Sequence, residues 1–184
     1  MIGFAVSEFR PVGKRIFERA DFYLSRGDRK RLGSLLRRHR YLLASQNSML
    51  VYRAVWQYRG MLRWLLSHGV HPDCKMSPTD GTPLMHAAAE GDVESIRLLL
   101  EYSADPNARN ERNESPLGYA LSYGHLEAAK LLVQRGADVN GIEYEGKTHL
   151  DWETICGREQ AAQVIRSLGG LPYAELDRNH GGSS

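Results

Sequence analysis

The side chains with most chemistry to offer in this sequence are seven histidines, two cysteines and a dense run of arginines. His68 and His71 stand three apart with Gly69 between them, a spacing that reads as a turn and not as two ligands on one helical face. Cys74 and Cys156 stand alone, with no CxxC and no Cys/His cluster. Neither a disulfide framework nor a structural zinc site is therefore expected, and free thiols fit a cytoplasmic setting. The spacings of phosphate loops, dinucleotide turns, serine elbows, zinc-protease helices and calcium loops are absent from the sequence. The expectation is a chain without catalytic residues, metal or cofactor.

Arg26, Arg29, Lys30, Arg31, Arg37, Arg38 and Arg40 put seven cations into fifteen residues. Three uses are open to such a cluster. It could track the phosphates of a nucleic acid. It could steer a protein partner that carries an acidic patch. It could also be the solvated side of a helix whose apolar side is Leu32, Leu35 and Leu36. No zinc-knuckle, helix-turn-helix or RNA-binding aromatic motif accompanies the arginines, so the partner expected is a protein.

The net charge of +2 hides an asymmetry, because residues 1–70 carry 14 Lys/Arg against 4 Asp/Glu and residues 71–184 carry 10 against 18. In an elongated molecule this becomes a basic end and an acidic end. Ordinary hydrophobic (42%) and charged (25%) fractions place the chain among folded, water-soluble domains. The sequence holds no apolar run of eighteen residues, and Met1 to Val6 is too short for a signal-peptide core. An intracellular chain, monomeric when free and away from membranes, is expected.

What positions these residues is a repeat. Gly91, Gly124 and Gly157 recur at intervals of 33, as do Leu84, Leu117 and Leu150. Thr82-Pro83-Leu84 returns as Ser115-Pro116-Leu117 and Thr148-His149-Leu150, and Asp105 and Asn107 return as Asp138 and Asn140. Each hydroxyl suits a helix N-cap and each proline the first helical position. Ala87, Ala88 and Ala120 keep the first helix narrow, the glycines end it, and Ile96, Leu99 and Leu100, matched by Ala129, Leu132 and Val133, give the second helix one apolar face. Thr148 and Asp151 are placed to form a capping box, and His125 to hydrogen-bond at the start of a second helix.

The period and the segment Thr82-Pro83-Leu84-Met85-His86-Ala87-Ala88 resemble the ankyrin repeat and its T-P-L-H-x-A helix opening, and Gly136-Ala137-Asp138-Val139-Asn140 resembles its strand-turn signature. The resemblance implies an all-α ankyrin-repeat solenoid of stacked helix-turn-helix units with short turn or hairpin tips. It covers about residues 18–170, in units of about 18–46, 47–79, 80–112, 113–145 and 146–170, the first two degenerate. Residues 1–17 read as an N-terminal extension and 171–184 as a flexible tail.

The same resemblance implies function: a non-catalytic module that grips another protein through a palm of first helices and fingers of turn tips, as scaffold or inhibitor. Short bacterial ankyrin proteins that serve as immunity or inhibitor partners of toxins are one analogy. On the palm, the residues after Val51, Met85, Gly118 and Asp151 are Tyr52, His86, Tyr119 and Trp152, all ring-bearing. One turn later come Trp56, Glu90, Tyr123 and Cys156. Tyr52, Trp56, His86, Glu90, Tyr119, Tyr123 and Trp152, with Tyr144 at a turn tip, are the expected partner contacts. Tyr119 is expected to bind without supporting the fold, whereas Trp152 fits either contact or packing between units. Cys156 reads as a half-buried thiol, since Tyr123, its counterpart one unit earlier, is a poor general base.

Overall fold

Thr82, Ser115 and Thr148 each accept a hydrogen bond from the backbone N–H three residues on, at Met85 (3.3 Å), Gly118 (3.0 Å) and Asp151 (3.3 Å). These bonds occupy donors that the first turn of a helix leaves without an intrahelical partner. Asp28 and Asp92 do the same for second helices, accepting from Arg31 N and Ser95 N. In the computed structural model of the chain, which describes residues 11–43, 49–73 and 81–180, the helices come in successive pairs. The pairs are α1 (Pro11–Ser25) and α2 (Arg29–Arg38), α3 (Met49–Trp56) and α4 (Leu62–Ser67), α5 (Pro83–Ala89) and α6 (Val93–Glu101), α7 (Pro116–Ser122) and α8 (Leu126–Gln134), and α9 (His149–Ile155) and α10 (Glu159–Ser167). A last helix, α11 (Tyr173–His180), follows.

First helices pack on one another in the order α1, α3, α5, α7, α9, and α4, α6, α8 and α10 form a second layer behind them. The result is an all-α solenoid. Its core lies between the layers, where Leu62, Leu65, Leu84, Ile96, Leu99, Leu117, Leu132, Ala162 and Ile165 are buried. Ala87, Ala88 and Ala120 are fully covered because the next first helix lies directly against them. Gly91 carries two constraints: φ is +64°, and a Cβ there would stand 2.5 Å from Nδ1 of His125 in the following unit. His125 makes no capping bond with its side chain. Its ring packs over Gly91 instead, and this corrects the hydrogen-bonding role expected of it.

The Asp-x-Asn motif is a ladder between units. Asp105 and Asp138 fold their own turns by accepting from Asn107 N (2.8 Å) and Asn140 N (2.9 Å). The asparagines then reach one unit onward. Asn107 accepts from Asp138 N (2.7 Å) and donates to Gly136 O (2.9 Å), and Asn140 accepts from Leu171 N (2.8 Å). Asp73 takes the corresponding bond from Asp105 N (3.1 Å). Side chains here saturate backbone groups that no helix or sheet provides for.

Both ends differ from the sequence reading. α1 begins at Pro11, ahead of the expected start near residue 18, and α11 occupies part of the segment expected to be a flexible tail. The physical cause of the second is local. Leu171 N is held by Asn140, and Tyr173 N donates to Asp151 Oδ2 (3.0 Å). Asp151 also closes the capping box from Thr148 N (3.0 Å), so its short side chain serves two helices.

Candidate protein-binding face

The inner face is the exposed side of the row α1, α3, α5, α7, α9. Trp56 of α3 meets His86 of α5 edge to face, with ring centroids 6.0 Å apart. Tyr119 of α7 and Tyr123, the residue that caps its C-terminus, stack with their planes 5° apart. Tyr123 is 64% exposed and Trp56 41%, whereas His86, Tyr119 and Trp152 are half-buried and Glu90 and Cys156 are exposed. Cys156 thus lies on the surface, not half-buried as expected. The side chains of Tyr52 and Tyr144 lie outside the described residues.

Between α7 and α9 the face deepens into a groove of about 780 Å³, lined by Tyr119, Tyr123, Trp152 and Cys156 among others. Its floor is polar. Arg158 clasps the buried Glu153 through two bonds of 2.6 and 2.7 Å. Lys147 Nζ sits 5.3 Å above the Trp152 ring, so one face of that indole already carries a cation.

Tyr119 has a structural duty that the sequence did not disclose. Its hydroxyl donates to Glu114 Oε2 (3.1 Å) and accepts from Asn110 Nδ2 (3.3 Å). Asn110, itself buried, folds the turn tip by accepting from Arg112 N and Glu114 N. Burial, then the Glu114 carboxylate, push the Tyr119 phenol up to about 12. This corrects the expectation that Tyr119 is free of the fold.

Glu143 is a second residue that sequence reading missed. It is buried at the next tip, where Oε1 accepts from Arg109 Nη1 (2.7 Å) and Oε2 from Ser115 N (3.2 Å). It fits because Gly118 has no Cβ: one there would stand 3.1 Å from Oε2. Desolvation nevertheless pushes the Glu143 carboxyl above its usual range. Beside it, His149 Nε2 is buried 3.4 Å from Oε1 without a hydrogen-bond partner. Burial brings the His149 imidazole down to about 4, so the ring is neutral and the charge partner of Glu143 is Arg109. The signal was available: His149 stands where Pro83 and Pro116 stand in the other units.

The basic cluster divides. Arg29, Lys30, Arg31, Arg37 and Arg38 lie on α2, an outer helix, and are exposed, as is Arg40 after it, whereas Arg26 directly follows α1 of the inner row. Arg31 pairs with Asp28 (3.6 Å) and the Arg26 guanidinium lies 4.7 Å over the Phe22 ring. The acidic side chains are also not at the far end. Residues 71–145 hold 13 Asp/Glu and 6 Lys/Arg, whereas 146–184 hold 5 and 4. Because the units stack in chain order, the negative charge belongs to the middle of the solenoid.

Histidines 68 and 71 are turn residues. His68 Nδ1 lies 2.8 Å from Trp64 O with its ring stacked 3.9 Å from that indole, and His71 Nδ1 accepts from Asp73 N. No helix among the described residues is long and apolar enough to cross a membrane.

No curated protein matches the sequence. Residues 51–143 match the family described as ankyrin repeats in three copies, which generally act as protein-protein interaction modules. Helix pairs stacked in two layers, hydroxyl caps on α5, α7 and α9 and the Asp-x-Asn ladder agree with that match, and the chain belongs to the ankyrin-repeat family.

Proposed function

We propose that this protein is a non-catalytic binder that holds a protein partner against its inner face, as an inhibitor or scaffold. The contacts are Trp56, His86, Glu90, Tyr119, Tyr123 and Trp152, joined by Tyr52 and by Tyr144 at the tip. One observation carries the reading: the groove between α7 and α9 is walled by aromatic rings, with Tyr123 64% exposed. Stacking first helices requires only the small residues beneath, such as Ala120. Rings kept at the surface supply large contact area at low rotamer cost. The outer arginines of α2 act at longer range, orienting an acidic partner before contact. Neutralisation of a toxin, as by bacterial immunity proteins, is one form such occlusion could take.

The test is affinity capture with the intact chain and with Tyr123→Ala, followed by titration of the purified pair. An interface anchor typically contributes roughly 2–4 kcal/mol, so Tyr123→Ala should weaken the complex about thirtyfold or more. An unchanged Kd for a variant with unchanged melting temperature would remove the groove from the interface.

A further inference from the structure

Phe22 stands five residues before Gly27, as His86 does before Gly91, Tyr119 before Gly124 and Trp152 before Gly157. The glycines share one role, since Gly27 (φ +63°) and Gly91 (φ +64°) turn alike and each precedes an aspartate that caps the next helix. α1 belongs to the inner row and packs on α3. Their register is locked by Asp21 and Arg53, joined by two bonds of 3.1 Å and adjacent in sequence to Phe22 and Tyr52. Arg26 then occupies the place that Glu90, Tyr123 and Cys156 occupy in later units.

We infer that the ring-bearing stripe continues to Phe22 and Arg26, and that this end of the inner face receives a segment of the protein partner carrying carboxylates beside an apolar side chain. Phe22 is 51% exposed, with Arg26 stacked over it. α1 is 15 residues long against 7 in α5. Its added turns place exposed Arg15 and Arg19 at i−7 and i−3 from Phe22, on the same helical face. Among the described residues Asp21 is engaged by Arg53 and Asp28 by the α2 cap and Arg31, so Glu18, at i−4 from Phe22, is the one carboxylate left on this face against Arg15, Arg19 and Arg26. Guanidinium groups flanking an exposed ring fit a carboxylate on either side of an apolar anchor. Two units along, Glu90 stands at the position that Arg26 holds here, so the carboxylates of the bound segment belong at the α1 end.

This inference rests on the inner face being the protein-binding face, and the readouts separate the two. The probes are a short labelled peptide of Asp, Glu, Phe and Leu, a peptide of Glu alone, and a single-stranded oligo(dT), all of equal charge, titrated by anisotropy at low and moderate salt. The mixed peptide should bind most tightly. Phe22→Ala should weaken it about fivefold, and Arg19→Glu with Arg26→Glu about tenfold or more. Tyr123→Ala, which tests the groove, should leave it unchanged. All of these side chains are exposed, and circular dichroism checks that each variant is folded. Equal or tighter binding of oligo(dT) would assign the patch to nucleic acid. No binding of the mixed peptide, or binding indifferent to Phe22→Ala, would make α1 a solvated end cap.

Discussion

At the scale of single residues, the polar side chains beneath the inner face matter more than their number suggests. The Tyr119 hydroxyl joins the tip at Glu114 and Asn110 to helix α7. Tyr119→Phe should therefore lower stability by about 1 kcal/mol while keeping the ring. In a spectrophotometric titration it should also abolish a phenol ionising at about 12; a wild-type chain without that high-pH component would contradict the buried bond. His149 sets a pH dependence. Its folded value is about 4 against the ordinary 6.5, so between these the unfolded chain holds a proton that the folded chain does not. Stability is full above pH 6.5 and falls as pH drops toward 4, by up to about 3 kcal/mol. His149→Pro installs the residue used in the two preceding units and should flatten the melting temperature across that window. A slope unchanged by the substitution would move its origin elsewhere.

At the scale of helices and turns, each unit depends on its neighbour at points where atoms are missing. Gly91 and Gly124 both have positive φ, +64° and +76°, but only Gly91 is overlain by the next unit's histidine. Alanine at Gly124 meets nothing within 4 Å and should cost about 1 kcal/mol, the penalty of the left-handed backbone alone. Alanine at Gly91 should cost clearly more, because the His125 ring must also move. Chemical denaturation of the two variants gives the comparison, and equal losses would show that the ring yields freely. The Asp-x-Asn ladder works on the same principle, since Asn107 and Asn140 bond backbone that lies one unit on.

For the molecule as a whole, stability is shared between stacked units, none of which covers its own apolar face. Ending the chain at Asn140 removes α9 to α11 and uncovers Leu117 and Leu121, which are buried at 1% exposure. It should lower the melting temperature sharply or cause aggregation. Ending it at Gly170 removes only α11 and the bonds from Tyr173 N to Asp151 and from Leu171 N to Asn140. Its loss should be a few degrees, and a collapse as severe as the longer truncation would make α11 an integral cap.

The amino-acid sequence by itself determined the repeat and its chemistry. Hydroxyls, prolines, alanines and glycines at a period of 33 act on backbone within a few residues, so their roles could be read locally, as for Thr82, Ser115 and the Thr148–Asp151 box. It also marked the ring-bearing positions, because equivalent positions in stacked units must lie side by side. Tertiary structure decided what depends on contact across units. That Glu143 fills the space left by Gly118 and that His125 covers Gly91 follow from the approach of segments about thirty residues apart, and that Tyr119 is tied into a tip follows from how the turn five to nine residues before it folds back on its helix. Spacing along the chain fixes a side chain's direction from its own helix, whereas what meets it there depends on how the next unit packs.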